Sequence, residues 1–112
     1  MTTEPTLTQV FGANASQTST DLVIKKSDLA TVGLTASANN TAESMMVALL
    51  LLAALYLNTS NQDSTNTDIQ LTIVDSDFPQ IVTRNSTKYR QITYNVNLQT
   101  VDTGFTVDPD NY

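Results

Sequence analysis

The sequence predicts an α+β fold in which one apolar helix, over about 41–58, packs on a small antiparallel sheet between extended terminal arms. Three observations carry this expectation. Residues 45–57 read MMVALLLLAALYL without a polar interruption. Apolar residues then recur with period two at Ile69, Leu71 and Ile73, and again at Ile92, Tyr94, Val96 and Leu98, the spacing of strands with one buried and one wet face. Both ends are polar and contain proline, a composition that favours chain with few packing contacts.

The elements follow in order. Residues 1–6, with Pro5, form an N-terminal arm, and 7–11 form a short strand ended by Gly12. Residues 13–20 (ANASQTST) have loop composition, and 21–26 (DLVIKK) form a compact strand with Leu22 and Ile24 on one face. Ser27-Asp28-Leu29 begins a short helical turn that closes near Gly33. After a polar linker, Asn40 or Thr41 supplies the N-cap of the main helix, and Asn40 with Glu43 has capping-box spacing. Glu43 lies in the first turn, where a carboxylate opposes the helix dipole. Asn58-Thr59-Ser60-Asn61 ends the helix, and 58–67 is a polar loop. Beyond 69–73 a turn at Asp75-Ser76-Asp77 leads to a strand over 78–83, with Pro79 near its start, where no ladder hydrogen bond is lost. Asn85-Ser86-Thr87 forms a hairpin tip, 91–99 the next strand, and 101–112 an acidic tail. One domain of 112 residues results, with the body at 7–100.

The helix makes the strongest demand. Successive residues turn by about 100°, so the four leucines from Leu49 to Leu52 sweep about 300° of its circumference. A single flat sheet hides less than that. Leaving two leucines in water costs on the order of 3–6 kcal/mol, comparable with the whole stability of a small domain. Two arrangements satisfy the helix: a strongly curved sheet wrapped around it, or a sheet on one side and a second subunit on the other. With four or five short strands available, the second is favoured. It makes Met46, Leu49, Leu50, Leu52, Ala53 and Tyr56 the expected homo-oligomer interface. The run has 13 residues, fewer than the ~18–20 that span a bilayer, so no membrane is expected as a partner.

Composition narrows the chemistry. Charged residues make up 14 % of the chain, against about 25 % in ordinary domains, and neutral Thr, Asn, Ser and Gln take their place. The net charge of −6 disfavours nonspecific binding to nucleic acid. Three of the five bases, Arg84, Lys88 and Arg90, cluster around the expected hairpin tip. Cysteine is absent, so no disulfide or thiolate metal site is available. Residues 1–10 lack the basic start and apolar core of a signal peptide, so no export is expected.

Histidine is also absent, which removes the commonest general base. Lys26 and Ser27 are adjacent and, in a strand, would point to opposite faces. Asp75/Asp77 and Asp108/Asp110 have the Asp-x-Asp form of a calcium loop, without the further ligands, turn glycine and closing Glu of an EF-hand. Such turn aspartates more often satisfy nearby backbone donors. Asn-x-Ser/Thr triplets at Asn14, Asn39, Asn58 and Asn85 are about as frequent as so Asn- and Thr-rich a chain gives by chance. Tyr89, Tyr94 and Tyr112 are scattered and form no aromatic platform. No catalytic residue, metal site or cofactor is therefore expected.

The Thr/Asn/Ser-rich N-terminal segment (TTEPTLTQVFGANASQTST), the small acidic α+β body and the polar loops and tail resemble the small virion structural proteins of tailed bacteriophages, especially capsid cement or decoration proteins. The resemblance spans the chain loosely and rests on no motif. It implies a noncatalytic protein of the phage head, a dimer or trimer that bridges copies of the major capsid protein or other virion proteins. On this reading Leu7, Val10 and Phe11 near the N-terminus, and Phe105, Val107 and Tyr112 in the tail, are the expected capsid contacts. A phage neck or tail component, or a host- or carbohydrate-binding module, is the alternative.

Overall fold

The computed structural model describes residues 4–100 and 106–112 and has the expected α+β class, with one long helix and small antiparallel sheets. The first element differs from expectation. Residues 7–11 form a helix, α1 (Leu7–Phe11), and not a strand. Thr6 accepts from the Gln9 amide at 3.2 Å, and the Gln9 side chain accepts from the Thr6 amide at 2.9 Å. This reciprocal capping box fixes the first turn of a segment too short to be helical by propensity. Gly12, at φ +106°, then turns the chain away.

Gly12 also sits against Asp28, whose carboxylate accepts from the Asn14 amide and side-chain Nδ2, both at 2.9 Å. A Cβ at position 12 would lie 2.6 Å from the Asp28 Cβ. The segment expected as loop contributes β1 (Ser16–Gln17), which pairs with β2 (Leu22–Val23), the only regular part of the expected strand at 21–26. The expected helical turn is a 3-10 helix, Lys26–Val32, closed by Gly33 in the left-handed region. It buries Leu29.

The main helix, α2, spans Ala42–Ala54. Of the two candidate caps, Thr41 does the capping, accepting from the Ser44 amide at 3.0 Å. The Asn40 side chain instead braces the preceding linker, donating to the Thr35 carbonyl and accepting from the Ser37 amide. The helix ends at Leu55, short of the expected 58, and the polar segment after it is a second helix, α3 (Thr59–Ser64), in place of a loop. Asn58 explains both departures. Its Oδ1 caps α3 by accepting from the Asn61 amide at 2.8 Å, while its Nδ2 donates back to the Ala54 and Leu55 carbonyls. One side chain closes the first helix and opens the second.

The remaining strands form one interrupted ribbon. β3 (Leu71–Asp75) pairs with β6 (Tyr94–Leu98), with Leu71 opposite Leu98 and Asp75 opposite Tyr94. Between them β4 (Gln80–Arg84) pairs with β5 (Thr87–Gln91), with Gln80 opposite Gln91. At the junction, 76–79 faces only 92–93, so the first strand carries two extra residues. The Ser76 amide still donates to the Thr93 carbonyl at 2.9 Å. The expected turn at Asp75-Ser76-Asp77 is thus a bulge, with Asp77 at φ 68°. Ile92 falls in the same junction and outside any strand, which splits the strand expected over 91–99. The hairpin tip is the pair Asn85 and Ser86, both at positive φ, as a two-residue turn matching strand twist requires.

Two apolar clusters flank α2. Ala53, Leu57, Ile69 and Ile73 form one, with Val10 of α1 packed against it; Leu29, Ala48 and Leu52 form the other, with Val32, Leu34 and Leu49. β3 is covered by both α2 and α3, and Thr72 and Ile73 are buried in succession. β6 lies beyond that cover. Val96 and Leu98 remain about half exposed, so the face expected to be buried along this strand is open past Tyr94. Every residue of the β4–β5 hairpin except Val82 is exposed. This projection helps make the radius of gyration 16.3 Å, against about 13 Å for a compact chain of this length.

Two substitutions test these joints by urea unfolding. Asn58→Ala removes a cap and two helix-end bonds, with an expected loss of about 1–2 kcal/mol. Gly12→Ala forces an unfavourable φ and a backbone shift against Asp28, with an expected loss of roughly 2 kcal/mol or more. Wild-type stability in either variant would contradict the corresponding joint.

Candidate interaction surfaces

Among the described residues, the most exposed apolar face of α2 is not the one expected. Leu52 and Ala53 are buried within the chain. Leu49 packs on the Leu29 cluster, and Leu50 and Tyr56 on the Ala53 cluster. The Tyr56 hydroxyl also accepts from Asn66 Nδ2 at 3.1 Å. Of the six residues expected at an oligomer interface, only Met46, 64 % exposed, is largely free. The other five serve the core of their own chain because α1, the 3-10 helix and β3 all pack on α2, more cover than a flat sheet alone supplies.

The uncovered sector holds Val47, Leu51 and Leu55, spaced by four residues and therefore within about 80° of one another. Val47 is 55 % and Leu55 62 % exposed, with Leu51 half-buried between them. Sequence reasoning missed this stripe because α2 is apolar on all sides, and no polar face marks which side is inward.

The expected terminal contacts divide three ways. Leu7, Val10 and Phe11 are half-buried on α1, which packs on α2, so they are not a free arm. Val107 and Tyr112 are exposed. Phe105 lies outside the described residues. The last turn, Pro109–Asn111, sits by the ribbon base, where Gln70 and Thr100 each donate to the Asn111 carbonyl at 3.5 Å. An open cleft of about 490 Å³ occupies the same end, lined by Glu4, Gln62, Asp68, Ile69, Gln70 and Gln99 among others.

The polar candidates have structural partners. Lys26 Nζ donates to the Ser37 carbonyl at 2.9 Å. Asp75 accepts from the Asp77 amide at 2.9 Å, and Asp108 from the Asp110 amide at 3.0 Å, so both Asp-x-Asp pairs satisfy local backbone donors. Among the described residues, no three acidic side chains converge as a metal site would require. Residues 42–64 taken together are long and apolar enough to cross a membrane. The chain breaks that stretch at Asn58, α3 is wholly polar, and the 13 residues of α2 rise only about 20 Å.

No protein family, curated protein or solved structure matches the chain. The interaction surfaces are thus defined by exposure and chemistry. In chain too dilute to associate, replacing Leu55 with Gln is expected to change folding stability by less than about 0.5 kcal/mol, as for other surface positions. Leu52→Gln buries an amide in the Leu29 cluster and is expected to cost roughly 3 kcal/mol or more. Equal losses in denaturant unfolding would show that the two faces of α2 are not distinct.

Proposed function

We propose that this chain is a noncatalytic structural protein that works by association, a cement or decoration subunit that bridges capsid proteins on a phage head. The observation that carries the associative part is the Val47–Leu51–Leu55 stripe. A core helix with an apolar sector about half exposed gains roughly 1–2 kcal/mol for each large side chain that a partner covers. A second copy offers the same stripe, and two such stripes related by a two-fold axis make a self-complementary contact. The subunit is then a homo-oligomer: a dimer if the stripes meet across a two-fold axis, a trimer if they gather about a three-fold axis.

The virion assignment follows from the resemblance of the Thr/Asn/Ser-rich, acidic chain to phage cement proteins. Two observations support it: the exposed apolar sector of α2, and exposed apolar side chains at both the hairpin and the C-terminal turn. Its partners are then its own copies and the major capsid protein, with neither nucleic acid nor membrane involved, and its place is the phage head.

Light scattering tests the first part. At 500 mM salt the wild-type chain is expected to be a dimer or trimer at micromolar concentration, with a Tm that rises with concentration, and Val47→Gln/Leu55→Gln a folded monomer under the same conditions. A wild-type monomer would remove the helix interface. For the second part, purified protein is added to phage heads stripped of accessory proteins. Saturable co-sedimentation in a fixed ratio to capsid protein, with a higher disruption temperature, is expected; the absence of binding would overturn the cement role.

A further inference from the structure

The bases of the ribbon keep to its hairpin, and its own two acids, Asp75 and Asp77, stand at the bulge. All eleven acidic residues and only two of the five bases lie outside 78–100; that segment carries Arg84, Lys88 and Arg90 and no acid. These three bases stand on the projecting β4–β5 hairpin. Ile81 opposite Arg90 and Thr83 opposite Lys88 share one face of it. On the other face Val82 lies opposite Tyr89, and the Arg84 guanidinium stacks 4.3 Å from the Tyr89 ring centroid. Phe78 (78 % exposed) and Ile81 (59 %) add apolar surface beside the bases. Exposed aromatic, aliphatic and arginine side chains without acids make up the composition of an interface centre.

The opposite end of the ribbon carries the complementary sign. Beyond the Leu71–Leu98 pair, the ladder closes with the Gln99 amide on the Gln70 carbonyl, and these residues line the open cleft with Glu4 and Asp68. Asp108 and Asp110 lie on the adjoining C-terminal turn, held to Gln70 and Thr100 through Asn111. No base lines this cleft. The two ends belong to one ribbon, so a hairpin cannot reach the cleft of its own chain.

We propose that the basic, apolar β4–β5 hairpin docks on the acidic cleft end of a second copy, giving a head-to-tail contact distinct from the α2 stripe. A contact between two different patches of one chain is heterologous: it repeats, closing into a ring or continuing as a chain of subunits. Opposed charge sets its register and rate, and Phe78, Ile81 and Tyr89 supply the buried area.

The test uses charge reversal at exposed positions that leave the Arg84–Tyr89 stack intact, with circular dichroism confirming the fold. The background is Val47→Gln/Leu55→Gln, so that failure of the helix contact and failure of this one are read separately. Sedimentation velocity is expected to show association that weakens from 50 to 500 mM salt, as screening shortens to a few Å. Lys88→Glu/Arg90→Glu and Glu4→Lys/Asp110→Lys should each weaken it at least tenfold, and mixing the two variants should restore association, with the two variants alternating in equal numbers. The proposal fails if the hairpin variant associates like its parent, or if the mixture associates no better than either variant alone. It fails equally if the hairpin reversal abolishes binding of an oligonucleotide and leaves self-association unchanged.

Discussion

A helix that is apolar around its whole circumference must be covered from several directions, and most of this structure is arranged around that requirement. α2 receives α1 and β3 beside the Ala53–Leu57 cluster, and the 3-10 helix beside Leu52. Each covering element is short, and α1 has only five residues. Isolated helices of that length do not persist in water, so the cap at Thr6, the turn at Gly12 and the Asn14–Asp28 clasp are needed to hold these pieces against α2. The sector at Val47, Leu51 and Leu55 is left partly open to solvent.

The chain's unusual composition has its role at these joints. With few charges, it satisfies its backbone through neutral amides. Asn58 joins α2 to α3, and Asn61 Nδ2 donates to the Tyr56 carbonyl at 2.9 Å. Gln62 bridges the Ile69 carbonyl and Gln99 Oε1 at 2.7 and 2.9 Å. This corner links two helices to the base of the ribbon without an ion pair, so its strength depends little on salt. A contact made through the hairpin bases would depend on salt strongly. The bulge at 76–79 marks the boundary between this hydrogen-bonded base and the hairpin that carries the three bases.

The class of fold, the main helix and the period-two strands were legible because long uniform patterns report local geometry directly. The hairpin tip was legible for the same reason, since Asn85 and Ser86 suit the positive φ that a two-residue turn requires. Short elements were not. Residues 7–11 carry apolar side chains that suit either a strand or a helix, and the reciprocal Thr6–Gln9 bonds decided between them. The polar run after Asn58 looked like a loop because its helix is held by a cap and by packing on β3, neither of which has a hydrophobic period. Hydrophobicity did not show which side of α2 turns inward: Leu52 and Ala53 are buried in their own chain, while Val47 and Leu55 are open and Leu51 is half-buried between them.

By itself the sequence determined that one apolar helix would dominate a small α+β domain, and that three of five bases would sit on a hairpin in an acidic chain. These follow from residue identity and spacing along the chain, which tertiary contacts do not alter. Only the tertiary structure decided which third of the helix faces water, that the hairpin projects beyond the core, and that Glu4 and the C-terminal turn both lie by the base of the ribbon. The reason is physical. A helix apolar on every side has no preferred inward face until α1, the 3-10 helix and β3, drawn from distant parts of the chain, have taken their places against it.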